Sequence, residues 1–323
     1  MNIRSALRSL IIVMPLLFCA TAQGQPAFPS KPVRIITAAV GGASDFTARM
    51  LAQGLGASLG QQFIVDNRGG ANGIIAAQMV AKSPPDGYNL LLFTSPIWLL
   101  PLLQDNVPYD PVRDFAPIAI TDSSPSVLVV HPSLPVKNVK ELIDLAKAKP
   151  GEITYSHPGV GNTGHIAGEL LNAVGKVKTT GIPYKGTAPS VIAVLSGEAQ
   201  LTYSSIPTAL PYIRAGRLRA LGVGNAKRMP SLPEFPTVAE AGLPGYEAYA
   251  WGGMLGPAKM PVDIVNRLSR EIVASINSKD VTDRMLNEGT VPTPSSPEEF
   301  AAYIKSEIQK WGVVIRGANI RVE

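Results

Sequence analysis

The sequence predicts an α/β protein of two lobes, each a mostly parallel sheet flanked by helices. Three observations carry this. Short apolar, β-branched runs alternate with helical segments across glycine-rich loops, the pattern that parallel sheets impose. The alternation occurs over residues 33–93 and again over 153–223. The chain has 323 residues, 46% hydrophobic and 16% charged, enough apolar material for two cores of about 100–150 residues each.

Residues 1–22 read as a signal peptide that is removed. Arg4 and Arg8 form a basic start, Leu10 to Phe18 is an apolar core, and Ala20-Thr21-Ala22 is a small-residue cleavage site. The apolar run is shorter than the roughly 20 residues a bilayer span needs. Cys19 raises a lipid anchor as the alternative, but Phe18 is bulky where such a signal wants a small residue. Cleavage after Ala22 discards the one cysteine of the chain, which excludes disulfides, thiol catalysis and cysteine metal sites. It also lowers the formal charge from +5 to about +3. The basic residues are dispersed and no run interleaves with aromatics, so nucleic acid is excluded as a partner. The expected product is exported and periplasmic.

Val33 to Ala39 is the opening strand. Gly41-Gly42 turns the chain, and Ser44 or Asp45 caps a helix running to about Leu59. A strand, a glycine turn and a fresh helix N-terminus leave unpaired N–H groups at the positive end of a helix dipole, an anion site that needs no arginine. Phe63 to Asp66 is the next strand, Asn67 to Gly73 a second glycine loop, Ile74 to Lys82 a helix and Tyr88 to Phe93 a buried strand. Ile97 to Leu100 begins an apolar helical stretch, and Val127 to His131 is a β-branched strand. Val139 to Ala148 is an amphipathic helix.

The second half opens at Ile153-Thr154-Tyr155, with a glycine loop at 159–164 and a helix from about His165 to Val174. A strand to Tyr184, a helix at 189–196, a strand at 199–203, a helix near 208–215 and a strand at 219–223 follow. Residues 262–277 and 297–316 read as amphipathic helices that return to the first lobe. The expected division is 23–125 for the first lobe, 126–225 for the second, and 226–323 for the return crossing and the rest of the first.

Gly159 to Gly164 is a literal G-x-G-x-x-G, but the ribose-binding acid about 20 residues on is missing. No acidic residue lies between Leu170 and Gly197. The loop is better read as a holder of some other anion. Gly56-Ala57-Ser58-Leu59-Gly60 matches a nucleophile elbow in residues only, because it ends a helix where the elbow must end a strand. His131, His157 and His165 lack metal-ligand spacing. His165 opens a helix, where a ring nitrogen can donate to an anion or serve in capping. The chain shows anion holders and no proton mover, so no catalytic residue, metal or cofactor is expected. The rival reading is a secreted enzyme, nicotinamide-dependent or a serine hydrolase, acting on a small acid.

Taken in order, several local runs resemble the Bug family of periplasmic solute-binding proteins, the receptor components of tripartite tricarboxylate transporters. They include Pro29 to Arg34, Gly42-Ala43-Ser44-Asp45, Asn67-Arg68, Pro84 to Tyr88, Pro108 to Phe115, His165 to Glu169, Pro183 to Gly186 and Pro236 to Gly242. The resemblance implies a two-lobed Venus-flytrap, similar to type II periplasmic binding proteins, closing on a small carboxylated molecule. It implies that Gly41, Gly42, Ala43, Ser44 and Asp45 hold one carboxylate. The opposing lobe would bring Gly161, Asn162, Thr163, Gly164 and His165, with Thr94, Ser95, Ser204 and Ser205 adding contacts. The implied partners are that ligand, membrane permease subunits of a tripartite tricarboxylate-type transporter and a sensor protein, and the receptor is expected to be a monomer.

Departures from the family pattern bear on the ligand. Ala38-Ala39-Val40 stands before the glycines, Gly69 replaces a usual proline, and Ile97-Trp98-Leu99-Leu100 is unusually apolar. Ser204 stands where an acidic residue often meets a ligand's ammonium. These point to an acid without an amino group, with an aromatic or other apolar body. Trp98 is either a ring that stacks on that body or a core residue of the first lobe.

Overall fold

The computed structural model describes residues 28–317 except 38–42, 69–72, 95, 230 and 288. The signal segment, Gly41, Gly42 and Ser95, and most of the second glycine loop, lie outside the described residues.

The first half runs β1 (Val33–Thr37), α1 (Ala43–Leu59), β2 (Phe63–Asn67), α2 (Ile74–Ala81), β3 (Asn89–Thr94) and α3 (Pro96–Leu103). Strands β2, β1 and β3 are adjacent and parallel. Ile35 and Ile36 project to opposite faces, yet both are fully buried, because helices cover both sides of the sheet.

Next comes β4 (Phe115–Val130), where the sequence suggested a strand only from Val127. Its first part, through Pro125, pairs antiparallel with a later strand; from Ser126 onward it pairs with strands of the second half. Proline, serine and aspartate between the two apolar runs hid this continuity from a propensity reading, and the pairing partners override it.

The second half contains α4 (Val139–Ala148), β5 (Thr154–His157), α5 (Thr163–Gly175), β6 (Thr180–Pro183), α6 (Thr187–Leu195), β7 (Leu201–Ser205), α7 (Ile206–Arg214) and β8 (Arg219–Val223). Strands β6, β5 and β7 form its parallel set. The end of β4 joins β7 on one side and β8 on the other.

The chain then returns through β9 (Tyr249–Pro257), which inserts antiparallel between β3 and β4. α8 (Val262–Ile276), α9 (Lys279–Asn287), the short β10 (Val291–Pro292) and α10 (Pro297–Gly317) complete the fold. Leu268, Ile272 and Ile276 of α8 join Leu51 and Leu55 of α1 in one core. Phe300, Ile304 and Trp311 of α10 join Trp98, Leu99 and Leu103 of α3 in another. Each lobe keeps its parallel triplet, and β4 and β9 make the continuous sheet mixed.

Three chain passages meet where β4 changes partners. Gly224 N–H donates to Ser126 C=O at 2.8 Å, Ala248 N–H donates to Gly224 C=O at 2.9 Å, and Ser126 Oγ donates to Ala248 C=O at 3.2 Å. A Cβ on Gly224 would stand 2.0 Å from the Ala248 oxygen, so only glycine lets these strands approach.

Candidate functional site

Loops at the carboxyl ends of parallel strands are where open α/β sheets hold ligands. In the first lobe that edge is the N-terminal turn of α1 and the ends of β2 and β3. Ser44 and Asp45 are buried in the first turn of the helix. Asp45 is not free for a ligand: Asn67 Nδ2 donates to its carboxylate at 2.8 Å and Arg49 pairs with it at 3.0 Å. Arg49 also donates to Asn67 Oδ1 at 3.1 Å, closing a ring between α1 and β2. Such a ring fixes the helix start relative to the strand end. The sequence placed Asn67 at the start of the second glycine loop and in a family motif, whereas it ends β2 and its partner is 22 residues away.

Thr94 is the last residue of β3 and lies opposite Gly252 of β9. Trp98, in contrast, leaves the candidate site. It is 1% exposed and packs edge-on against Phe300 at 5.8 Å within the core. The physical reason is that α3 is apolar nearly throughout and sits under α10, so its indole is enclosed by the returning chain.

In the second lobe, Gly159 and Gly161 take positive φ values of 131° and 77°, which fold the loop back over β5. Asn162 occupies the N-cap of α5, but its side chain makes no capping hydrogen bond. The first-turn N–H groups of Thr163 and Gly164 are thus left for another acceptor. Gly164 lies against β7: a Cβ there would be 3.1 Å from the Tyr203 carbonyl oxygen. This places the α5 start beside Ser204 and Ser205. Ser204 is buried and donates to the Ser205 carbonyl at 3.1 Å. Ser205 is exposed at the N-cap of α7, its hydroxyl 2.8 Å from that of Thr208.

His165 accepts from the Gly161 N–H through Nδ1 at 3.2 Å. Its ring lies 4.5 Å from that of His157. Burial drives both imidazoles down to about 4, and for His157 the neighbouring His165 adds to the effect. The site therefore presents a neutral imidazole. His157 carries no sequence signal beyond its position at a strand end before Pro158.

Among the described residues no cluster of histidine, cysteine and acidic side chains suits a metal, and no helix is long and apolar enough to cross a membrane. The start of α5 offers main-chain donors for an anion. A family model described as the tripartite tricarboxylate transporter family receptor matches residues 47–320. The chain belongs to this receptor family. The receptor is 34% identical to the protein BugT of Bordetella pertussis over 299 residues, covering 92% of each chain. Among solved structures it is similar to R. palustris Rpa4515 with adipate, at 36% identity and TM-score 0.80, covering 91% of this chain and 99% of that one. It is also similar to MatC from Rhodopseudomonas palustris with bound malate, at 29% identity and TM-score 0.75, covering 89% and 100%. The receptor is a two-lobed solute-binding protein of this family and not an enzyme.

Proposed function

We propose that the receptor is exported to the periplasm, captures a small organic carboxylate between its lobes and delivers it to the membrane subunits of a tripartite tricarboxylate-type transporter. The observation that carries this is the start of α5: a helix N-terminus whose N-cap side chain makes no capping bond, flanked by a neutral histidine. Backbone N–H groups and a helix dipole bind an anion without a counter-charge. In this reading the opposing jaw is the start of α1, where Ser44 and Asp45 are buried, with Thr94, Ser204 and Ser205 at its border; Gly41, Gly42, Ala43 and Ser95 belong to it on the family resemblance alone.

The ligand proposed is a dicarboxylate without an amino group. Ser204 offers no charge to an ammonium, and adipate and malate occupy two structural neighbours. With Trp98 in the core, support for an aromatic body falls away, and an aliphatic chain is the leading choice.

Calorimetric titration with adipate, malate, citrate, aspartate and terephthalate tests the reading, with a melting temperature that climbs with ligand concentration as the parallel measure. Preference for aspartate would overturn the non-amino assignment. Ser44→Pro and Gly164→Val should each abolish binding; normal binding by both would remove these loops from the site.

A further inference from the structure

Asp122 is a carboxyl group that the site described above does not use. It lies in β4, opposite Gly252 of β9, which is itself opposite Thr94 at the end of β3. The row Thr94–Gly252–Asp122 therefore runs along the carboxyl edge of the first-lobe sheet, just before β4 changes partners at Ser126. The side chain folds over the strand beside it, since a Cβ on Gly252 would stand 2.4 Å from its Oδ1. Asp122 is 2% exposed.

Among the described residues, its side-chain hydrogen-bond partners are hydroxyls. Thr121 Oγ1 donates at 2.6 Å and Ser124 Oγ at 3.4 Å, while Thr47 of α1 lies beside the same carboxyl with its buried hydroxyl outside hydrogen-bond geometry. No charged side chain among the described residues faces it. On α1, Asp45 and Arg49 pair with each other. β9 offers Gly252, and β10 offers Pro292 followed by Thr293. α8 turns Leu268 and Ile272 inward, while its Arg267 and Arg270 line an outward groove. An ionised carboxylate enclosed without a cation is strongly disfavoured. Burial accordingly raises Asp122 above the ordinary aspartate range, against the lowering effect of its hydroxyl donors.

We propose that Asp122 determines which ligands the first lobe accepts, by admitting an anion only while it carries its own proton. This rests on the carboxylate reading of the α1 jaw. As the neutral acid it lets a ligand carboxylate settle at the carboxyl edge without like-charge repulsion. As an anion it opposes that carboxylate in a region of low polarity. Ligand binding and protonation of Asp122 are thus mutually favourable, and binding draws up to about one proton from solution.

The test compares the full-length mature receptor with Asp122→Asn, which keeps shape and cannot ionise. Without ligand, the melting temperature of the variant should exceed that of the parent by a margin that grows as pH rises above the ordinary aspartate value of 3.8, because there the unfolded parent releases the proton that its folded state retains. With adipate as probe, parent affinity should fall by up to about tenfold per pH unit as Asp122 ionises. Calorimetry in buffers of different ionisation enthalpy should register the proton taken up. Asp122→Asn should lose both the slope and the uptake. A pH-independent melting margin, or equal adipate slopes in the two proteins, overturns the proposal while leaving the receptor reading intact. Failure of both proteins to bind adipate or malate at any pH overturns the carboxylate reading and the proposal with it.

Discussion

The Gly161 N–H donates to His165 Nδ1 at 3.2 Å across a single turn of loop. This bond needs the lone pair on Nδ1, so the neutral ring carries its proton on Nε2. Protonating Nδ1 would displace the Gly161 N–H and unlatch the loop from the first turn of α5. His165 is therefore a positioned neutral donor, and the tilted ring beside it, His157, is neutral for the same reason of burial.

Stability should follow these two rings. Both lie near 4 in the folded chain against an ordinary value of 6.5. Between those values the unfolded chain binds more protons, so their contribution is complete above about pH 6.5 and is lost as pH falls toward 4. Scanning calorimetry across that window should show a falling melting temperature. The double variant His157→Gln, His165→Gln should flatten the slope, and an unchanged slope would contradict the assignment.

Replacing His165 alone should weaken the ligand more than the fold. His165→Ala removes the acceptor for Gly161 and the donor beside α5, and should cost about 1–3 kcal/mol of adipate binding at pH 7. Calorimetric titration measures the loss, and circular dichroism checks that the fold survives.

Trp98 should behave as packing. Trp98→Ala should destabilise by about 3–5 kcal/mol in urea titrations. Trp98→Phe should retain adipate affinity, because the indole N–H makes no hydrogen bond that the change would break. A Phe variant that melts normally but no longer binds would return this residue to the site.

The crossing between lobes gives a further prediction. Gly224→Ala forces a Cβ to within 2.0 Å of the Ala248 oxygen and should cost about 1–3 kcal/mol through backbone displacement. Ser126→Ala removes one hydrogen bond to that same oxygen and should cost about 1 kcal/mol. Denaturant titration of both variants checks the order, with Gly224→Ala the more damaging.

The legible parts of the site were its local units. Val33–Thr37 before α1 and Thr154–His157 before α5 each combine a β-rich run, glycines and a helix start within about a dozen residues, so neighbouring residues alone encode them. Asp122 was illegible because an acid between two apolar runs looks like a turn until β9 is seen beside it. The 4.5 Å contact of His157 with His165 was hidden for a similar reason, since it depends on how the loop folds over β5.

By itself the sequence determined the two α/β units, the two glycine-bearing helix starts and the family, because hydrophobic period, helix capping and glycine turns act over a few residues. Only the tertiary structure decided that β4 runs unbroken from one lobe to the other, that Trp98 is enclosed by α10, and that Asp122 lies buried among hydroxyls at the sheet's edge. Those outcomes depend on strands and helices more than 100 residues apart meeting in space, as Ser126 and Ala248 do. Burial, which raises the Asp122 carboxyl above its ordinary range and sets the role of Trp98, arises only from that meeting.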